Sequence, residues 1–390
     1  MVNFVSNISQ MNIGIVCYPT FGGSGVLATE LGKALADKGH NIHFITYQQP
    51  VRLTGFSANI FYHEVRVPTY PLFDYPPYET ALASTMVDVI RNHNLDLLHV
   101  HYAIPHAAAA YMAKKILQEE SRDIPVITTL HGTDITLVGK DKTYAPVVAF
   151  SINQSDAITA VSDNLRQETF RTFRIEKDIQ VIHNFVDVER FSRKPIDAFR
   201  KVIAPNGERI ILHASNFRKV KRVQDVIKVF QAVNLQKPSK LLLVGDGPER
   251  PGAEEMCREM GICDDVRFVG KQQDMEEIMA VADLFLLPSE YESFGLAALE
   301  AMAAGAPVVA SNAGGLPEII EQGVCGFMAD VGDVESMANY ALDILLQDNR
   351  LNQFKEAARA KAKQFDIHNI IPEYETLYKQ VADSRLEVAG

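Results

Sequence analysis

The chain has 390 residues, 47% hydrophobic and 22% charged, the balance of a globular protein long enough for two domains at roughly 100–200 residues each. A formal net charge of −11 speaks against nucleic acid or an anionic membrane as the main partner, and no apolar run approaches the roughly 20 residues that cross a bilayer. Cys17, Cys257, Cys263 and Cys325 form no CxxC pair, which does not resemble a disulfide framework or a zinc site and makes a reducing cytoplasm the expected compartment.

The first ten residues carry no basic stretch and no long apolar core, so no signal peptide is expected there. Strands are then predicted at 13–17, 42–47, 97–101, 126–130 and 157–161, with helices at 25–38, 79–92 and 106–119 between them. Periodicity is weakest over 187–207, which reads as an interdomain linker and gives domains at 11–190 and 205–368. The second half repeats the alternation, with strands at 210–213, 240–244, 266–269, 284–287 and 307–310 and helices at 223–234, 275–280, 296–303 and 337–346. A last helix within 370–386 is long enough to pack back on the first domain. Such alternation predicts an α/β chain of two Rossmann-like, doubly wound domains facing each other across a cleft, with ligands at the carboxyl ends of the strands.

Motifs fall at those ends. Gly22-Gly23-Ser24-Gly25 opens the first helix, where its amides can meet an anion or simply make a tight packing turn. It is not GxGxxG, and no acidic residue ends the second strand, which disfavours a hydride-transfer cofactor. His131-Gly132-Thr133-Asp134 follows a strand, so His131 is either a donor to a ligand or a structural donor. His99 and His101 alternate on one strand face without a nearby carboxylate or cysteine at ligand spacing; they read as packing residues, and Tyr102 is the better ligand candidate. Residues 216–222 hold four cations within five positions, Arg218, Lys219, Lys221 and Arg222, either a solvated loop or a place for a diphosphate.

The most specific segment is 288–300. A strand ends, the chain turns at Gly295, and a helix starts near Leu296, so the amides of Phe294, Gly295 and Leu296 point from a helix N-terminus. Glu292 precedes that helix and Glu300 lies one turn inside it, which lets one ligand engage both carboxylates. Gly314-Gly315 adds a further turn at a strand end.

With Glu292-x7-Glu300, the glycine loop and Val244-Gly245-Asp246-Gly247-Pro248, the chain resembles the retaining GT-B glycosyltransferases of family 4 over nearly its whole length. Stretches 17–25, 99–106, 131–136 and 215–222 resemble more closely the branch that makes the glucosaminyl malate of bacillithiol biosynthesis. The resemblance implies UDP-N-acetylglucosamine as donor in the C-terminal domain, L-malate as acceptor in the N-terminal one, retention of configuration, and neither metal nor other cofactor. It implies catalytic roles for His131, Lys221 and Glu292. Glu292 and Ser293 would hold the donor sugar with the amides of Phe294, Gly295 and Leu296, Glu300 the ribose, and Lys221 the diphosphate, with Gly23 also among the donor-binding residues. Asn216 stands where many relatives carry arginine, with Arg218 the suggested replacement, and Val269 and Lys271 fall where the uracil edge is read. Ser24, Tyr102, Thr133 and Lys142 are the acceptor candidates.

Two alternatives stay open: another small, lipid or polysaccharide acceptor, and a non-catalytic nucleotide-sugar sensor. The first helix balances Lys33 and Lys38 against Glu30 and Asp37, unlike the basic face of lipid-directed relatives. Segment 71–78, with its aromatics and prolines, reads as a loop or a subunit contact, and a homo-oligomer is left open.

Overall fold

Strands covered by helices on both faces are buried from end to end and read as mostly apolar, and β4 (Leu97–His101) and β5 (Val126–Leu130) are buried along their full lengths. The computed structural model describes residues 10–20, 22–67, 77–137, 141–192, 197–272 and 274–386. It divides into one unit of Met1–Asn184 with His368–Gly390 and a second of Phe185–Ile367.

In the first unit the remaining strands are β1 (Asn12–Val16), β2 (Asn41–Thr46), β3 (Ile60–Glu64), β6 (Ala157–Ala160) and β7 (Gln180–Val181), in the order β3-β2-β1-β4-β5-β6-β7. Every pairing is parallel. The second unit holds β8 (Arg209–Ala214), β9 (Ser239–Val244), β10 (Val266–Gly270), β11 (Leu284–Leu287), β12 (Val308–Ser311) and β13 (Gly326–Ala329). Their order is β10-β9-β8-β11-β12-β13, again all parallel. Strand order therefore reverses between β1 and β4 in one sheet and between β8 and β11 in the other, the place where loops diverge and ligands bind.

Several elements lie outside the predicted set. The edge strand β3 has only half-buried and exposed residues, β7 is two residues long, and β13 begins with glycine, so none carries a strong apolar run. Segment 187–207, expected as a linker, contains the helices Val188–Ser192 and Asp197–Ile203 and belongs to the second unit. Arg190 is paired with buried Glu276, and Arg200 bonds Asp283 at 2.5 Å. These ion pairs anchor the stretch together with the buried Val188, Phe191 and Ile203. Residues 185–190, read with the first domain, likewise cluster with the second.

The helix Ile367–Leu386 carries the chain back to the first unit from His368 onward. Tyr378 is wholly buried there, its hydroxyl 2.7 Å from His99 Nδ1, and Glu375 pairs with Lys38 and lies 3.4 Å from His40 Nε2. Among the described residues no helix is long and apolar enough to cross a membrane. Segment 71–76 and residues 1–9 lie outside the described residues.

Replacing Tyr378 by alanine removes a fully buried aromatic and is expected to lower stability by about 3–5 kcal/mol. Denaturant unfolding measures this, and a loss below about 1 kcal/mol would show that the returning helix contributes little.

Candidate active site

In the second unit the loop after β8 and the loop after β11 meet. Lys221 Nζ donates to Glu292 Oε1 at 2.5 Å, and Ser289 Oγ donates to the same oxygen at 2.8 Å. Both charged side chains are mostly buried yet reach the surface, with 20% and 13% of the side chains exposed. Backbone bonds hold the loops in register: Glu290 N–H donates to the Val220 carbonyl at 2.8 Å, and Gly315 N–H to the Glu292 carbonyl at 2.8 Å. Gly314 sits so close that a Cβ would run into the Glu292 carbonyl oxygen, so the Gly314-Gly315 turn is a clamp on the Glu292 loop. The turn at Gly245 and Gly247 presses in the same way on Ser215 and Asn216.

Gly295, at φ 95°, ends this loop and caps the helix Leu296–Ala304, whose first amides lack intrahelical partners. Phe294 is buried and meets Phe365 edge-on at 5.7 Å. Ser293 and Glu300 are half-buried, Ser293 in the loop and Glu300 on the second turn of the helix.

The basic cluster requires a correction. Its four cations were expected to repel one another until a ligand relieved them, but the fold relieves two. Arg222 bonds Asp225 at 2.5 Å and Glu290 at 3.3 Å, and Lys221 bonds Glu292. Arg218 and Lys219 are exposed and have no partner among the described residues, and Asn216 is exposed beside them. Lys221 and Glu292, assigned to different parts of one ligand, here contact each other. Gln272 Nε2 donates to the Val269 carbonyl at 2.5 Å, so that carbonyl is engaged, while Lys271 is exposed.

Sequence reasoning passed over His213. It is buried at the switch point, its Nδ1–H donating to the Leu286 carbonyl of β11 at 2.9 Å and its Nε2 accepting from Ser215 Oγ at 2.8 Å. These bonds fix the tautomer and join the two diverging strands. Burial, opposed by the bond to Leu286, holds its pKa down to about 4.

In the first unit Ser24, second residue of the helix Gly23–Asp37, shares a 2.7 Å hydrogen bond with the Tyr102 hydroxyl. Tyr102 leaves β4 at φ 86° and meets Tyr18 edge-on at 5.4 Å; Tyr18 in turn packs on His106 at 4.6 Å. Gly25 admits no Cβ because it abuts the Tyr18 carbonyl, whereas Gly22 has only the Thr20 hydroxyl near it. Packing thus accounts for the third glycine of the loop and not for the first.

His131 Nε2 lies 2.8 Å from His101 Nδ1. Burial, then the nearby His106, hold the His131 pKa down to about 3, so it acts as a neutral dipole and not as a cation. His99 and His101 stack at 4.5 Å, and His99 bonds Thr129 and Tyr378. Nε2 of His101 and of His106 is buried without a partner among the described residues. Asp134 accepts from the Ala103 and Gly132 amides, both at 3.0 Å, tying the loop after β4 to the loop after β5. Burial lifts its pKa to about 6 against those bonds. Thr133 is exposed in this second loop. Lys142 stands in an exposed turn with no partner among the described residues and is not brought to the Ser24–Tyr102 group.

Two family models match this chain: "Glycosyltransferase Family 4" over residues 21–190 and "Glycosyl transferases group 1" over residues 196–361. The chain is 46% identical over 374 residues to N-acetyl-alpha-D-glucosaminyl L-malate synthase of Bacillus anthracis, covering 95% of this chain and 97% of that one. It is 25% identical over 378 residues to D-inositol 3-phosphate glycosyltransferase of Thermobispora bispora, covering 88% and 86%. Among solved structures, Anabaena HepE in complex with UDP and glucose superposes with a TM-score of 0.78 at 22% identity, over 94% of this chain and 99% of that one. Sucrose-phosphate synthase from Thermosynechococcus elongatus gives 0.78 at 21%, over 96% and 100%. These two structures establish the fold alone.

The buried histidines make acid stability measurable. His99, His106, His131 and His213 have pKa values held at about 3 to 4, below the ordinary 6.5. The unfolded chain therefore takes up protons that the folded chain refuses, and stability falls as pH drops from 6.5 toward 4, by about 1.4 kcal/mol per pH unit for each histidine. Asp134, raised to about 6, works the other way but is outnumbered. The thermal midpoint is expected to fall steadily between pH 7 and pH 5; a flat profile would contradict the neutral histidine core.

Proposed function

The chain belongs to glycosyltransferase family 4, and from that premise we propose that it transfers N-acetylglucosamine from UDP-N-acetylglucosamine to the hydroxyl of L-malate, the first step of bacillithiol synthesis. One observation carries the reading. Lys221 and Glu292 meet at the strand-order reversal of the second sheet, in a chain 46% identical along its length to a protein named for that product.

Lys221 retains two N–H groups beyond its bond to Glu292, and Glu292 retains Oε2. The diphosphate takes the cation, joined by the exposed Arg218 of the same loop, and a donor sugar hydroxyl binds the carboxylate. The amides of Phe294, Gly295 and Leu296 supply further donors, Ser293 and Glu300 hold the rest of the donor, and Val269 and Lys271 border the uracil. Malate binds on the first unit, its carboxylates met by Ser24, the Gly23 amide, Tyr102 and Thr133, with Lys142 the outlying cation.

The malate hydroxyl attacks the anomeric carbon on the face from which UDP leaves. The new C–O bond forms as the bond to phosphate breaks, and the hydroxyl proton passes to the departing phosphate oxygen. Lys221 and the helix N-terminus stabilise the charge that develops there. Neutral His131 positions the sugar without opposing a cationic transition state. The side chains carry this charge, so no metal enters the reaction. Free cysteines and a central metabolite as acceptor support a cytoplasmic enzyme without a membrane or nucleic-acid partner.

Lys221→Ala and Glu292→Ala are each expected to lower kcat at least tenfold and on the order of a hundredfold, with the fold intact by circular dichroism. Because the two side chains touch, the double variant should lose less than the product of the single losses. Near-normal rates in both single variants would remove the donor-site assignment.

The reading itself is tested by UDP release. Release should depend on L-malate and persist undiminished in chelator. Tight UDP binding with no turnover would support a sensor instead, and loss of activity under chelation would reject the metal-free mechanism.

A further inference from the structure

A second group of side chains lies apart from these loops, on the outer edge of the first sheet. His43 comes from β2, His63 from the edge strand β3, and His93 ends the helix Tyr78–His93. One nitrogen from each lies within 4.8 Å of the other two. His43 Nδ1 and His63 Nε2 are 2.9 Å apart, and the His93 ring centre stands 4.7 Å from that of His43 and 4.9 Å from that of His63. His43 is buried, His63 half-buried and His93 exposed. We infer that these three histidines form a binding site for a divalent transition metal of the zinc class, which staples the edge strand β3 to β2 and to the end of the helix.

The donor set selects the ion. Three imidazole nitrogens with no carboxylate suit zinc, copper or nickel and not magnesium or calcium. Zinc–nitrogen bonds of about 2.0–2.1 Å place tetrahedral ligand atoms about 3.3 Å apart. The His43–His63 pair therefore needs to open by a few tenths of an ångström, while His93, on an exposed helix end, swings in.

Exposure of His93 leaves the fourth position to water. Burial, then His63 and His93, press the His43 pKa down to about 4, and burial, then His93, lowers that of His63. Both rings are thus held in the neutral form that ligates. The carbonyl end of a 16-residue helix adds a favourable dipole for a cation. Packing accounts for the stacking of Phe61 on His43 at 4.6 Å and an N–H···N hydrogen bond for the approach of His43 to His63, but neither requires His93 to bring a nitrogen to the same point.

The test uses the full chain stripped of metal. Zinc titrated by calorimetry should bind with one strong equivalent per chain and raise the thermal midpoint, and cobalt should give the visible bands of tetrahedral coordination. His63→Gln and His93→Gln should each weaken zinc binding at least tenfold, since loss even of outer-shell partners costs about tenfold or more. Transferase rate without metal should stay within about twofold of the unaltered chain, as expected for a surface change away from the site. His93 is exposed and its variant keeps the fold, so the test stands even if a His43 variant fails to fold. Absence of saturable one-to-one binding, or unchanged affinity in both variants, would overturn the site.

Discussion

A right-handed crossover lays each new parallel strand on one side of the last, so a sheet that grows in both directions must reverse its strand order once. In this chain the reversals fall between β1 and β4 and between β8 and β11, and the loops leaving those four strands part from each other. The candidate chemistry clusters on them or their neighbours: Ser24 after β1, Tyr102 after β4, Lys221 after β8 and Glu292 after β11. In the second sheet His213 ties the two sides of the reversal together, bonding the β11 backbone from β8 through one nitrogen and a loop serine through the other.

Charge is handled differently in the two units. The second keeps full charges and pairs them, Lys221 with Glu292 and Arg222 with Asp225 and Glu290. This shapes the cationic loop in advance, and in the proposed reaction such preorganisation would let it stabilise a leaving diphosphate without reorganising. The first unit instead buries imidazoles, which remain neutral because desolvation penalises the charged ring. Asp134, a buried carboxylate of this unit, takes two backbone amides and serves as a tie between loops. A dicarboxylate acceptor would meet neutral donors and helix amides there.

How much was legible follows from the kind of signal each part leaves. β11 and the end of β9 are continuous apolar runs and β4 and β5 are buried throughout, and such buried runs between helical periods identify a parallel sheet. The Glu292 loop was legible because an unusual string of small residues follows two acidic positions at a strand end. The edge strand β3, two-residue β7 and the short helices of 187–207 left little apolar pattern, and the linker was read into the last of these for that reason.

The sequence alone determined the strongly patterned elements and most of those that end in chemistry, because hydrophobic period and glycine placement are local properties of the chain. Tertiary structure alone decided the pairings. Lys221 and Glu292 are 71 positions apart, His43 and His93 come from opposite ends of a crossover, and Gly314 clamps a loop it does not adjoin. Only the fold could reveal that half of an apparently unrelieved basic cluster is neutralised from within. Distances between side chains far apart in the sequence depend on the strand order that the whole sheet adopts, and no short stretch of residues carries that order.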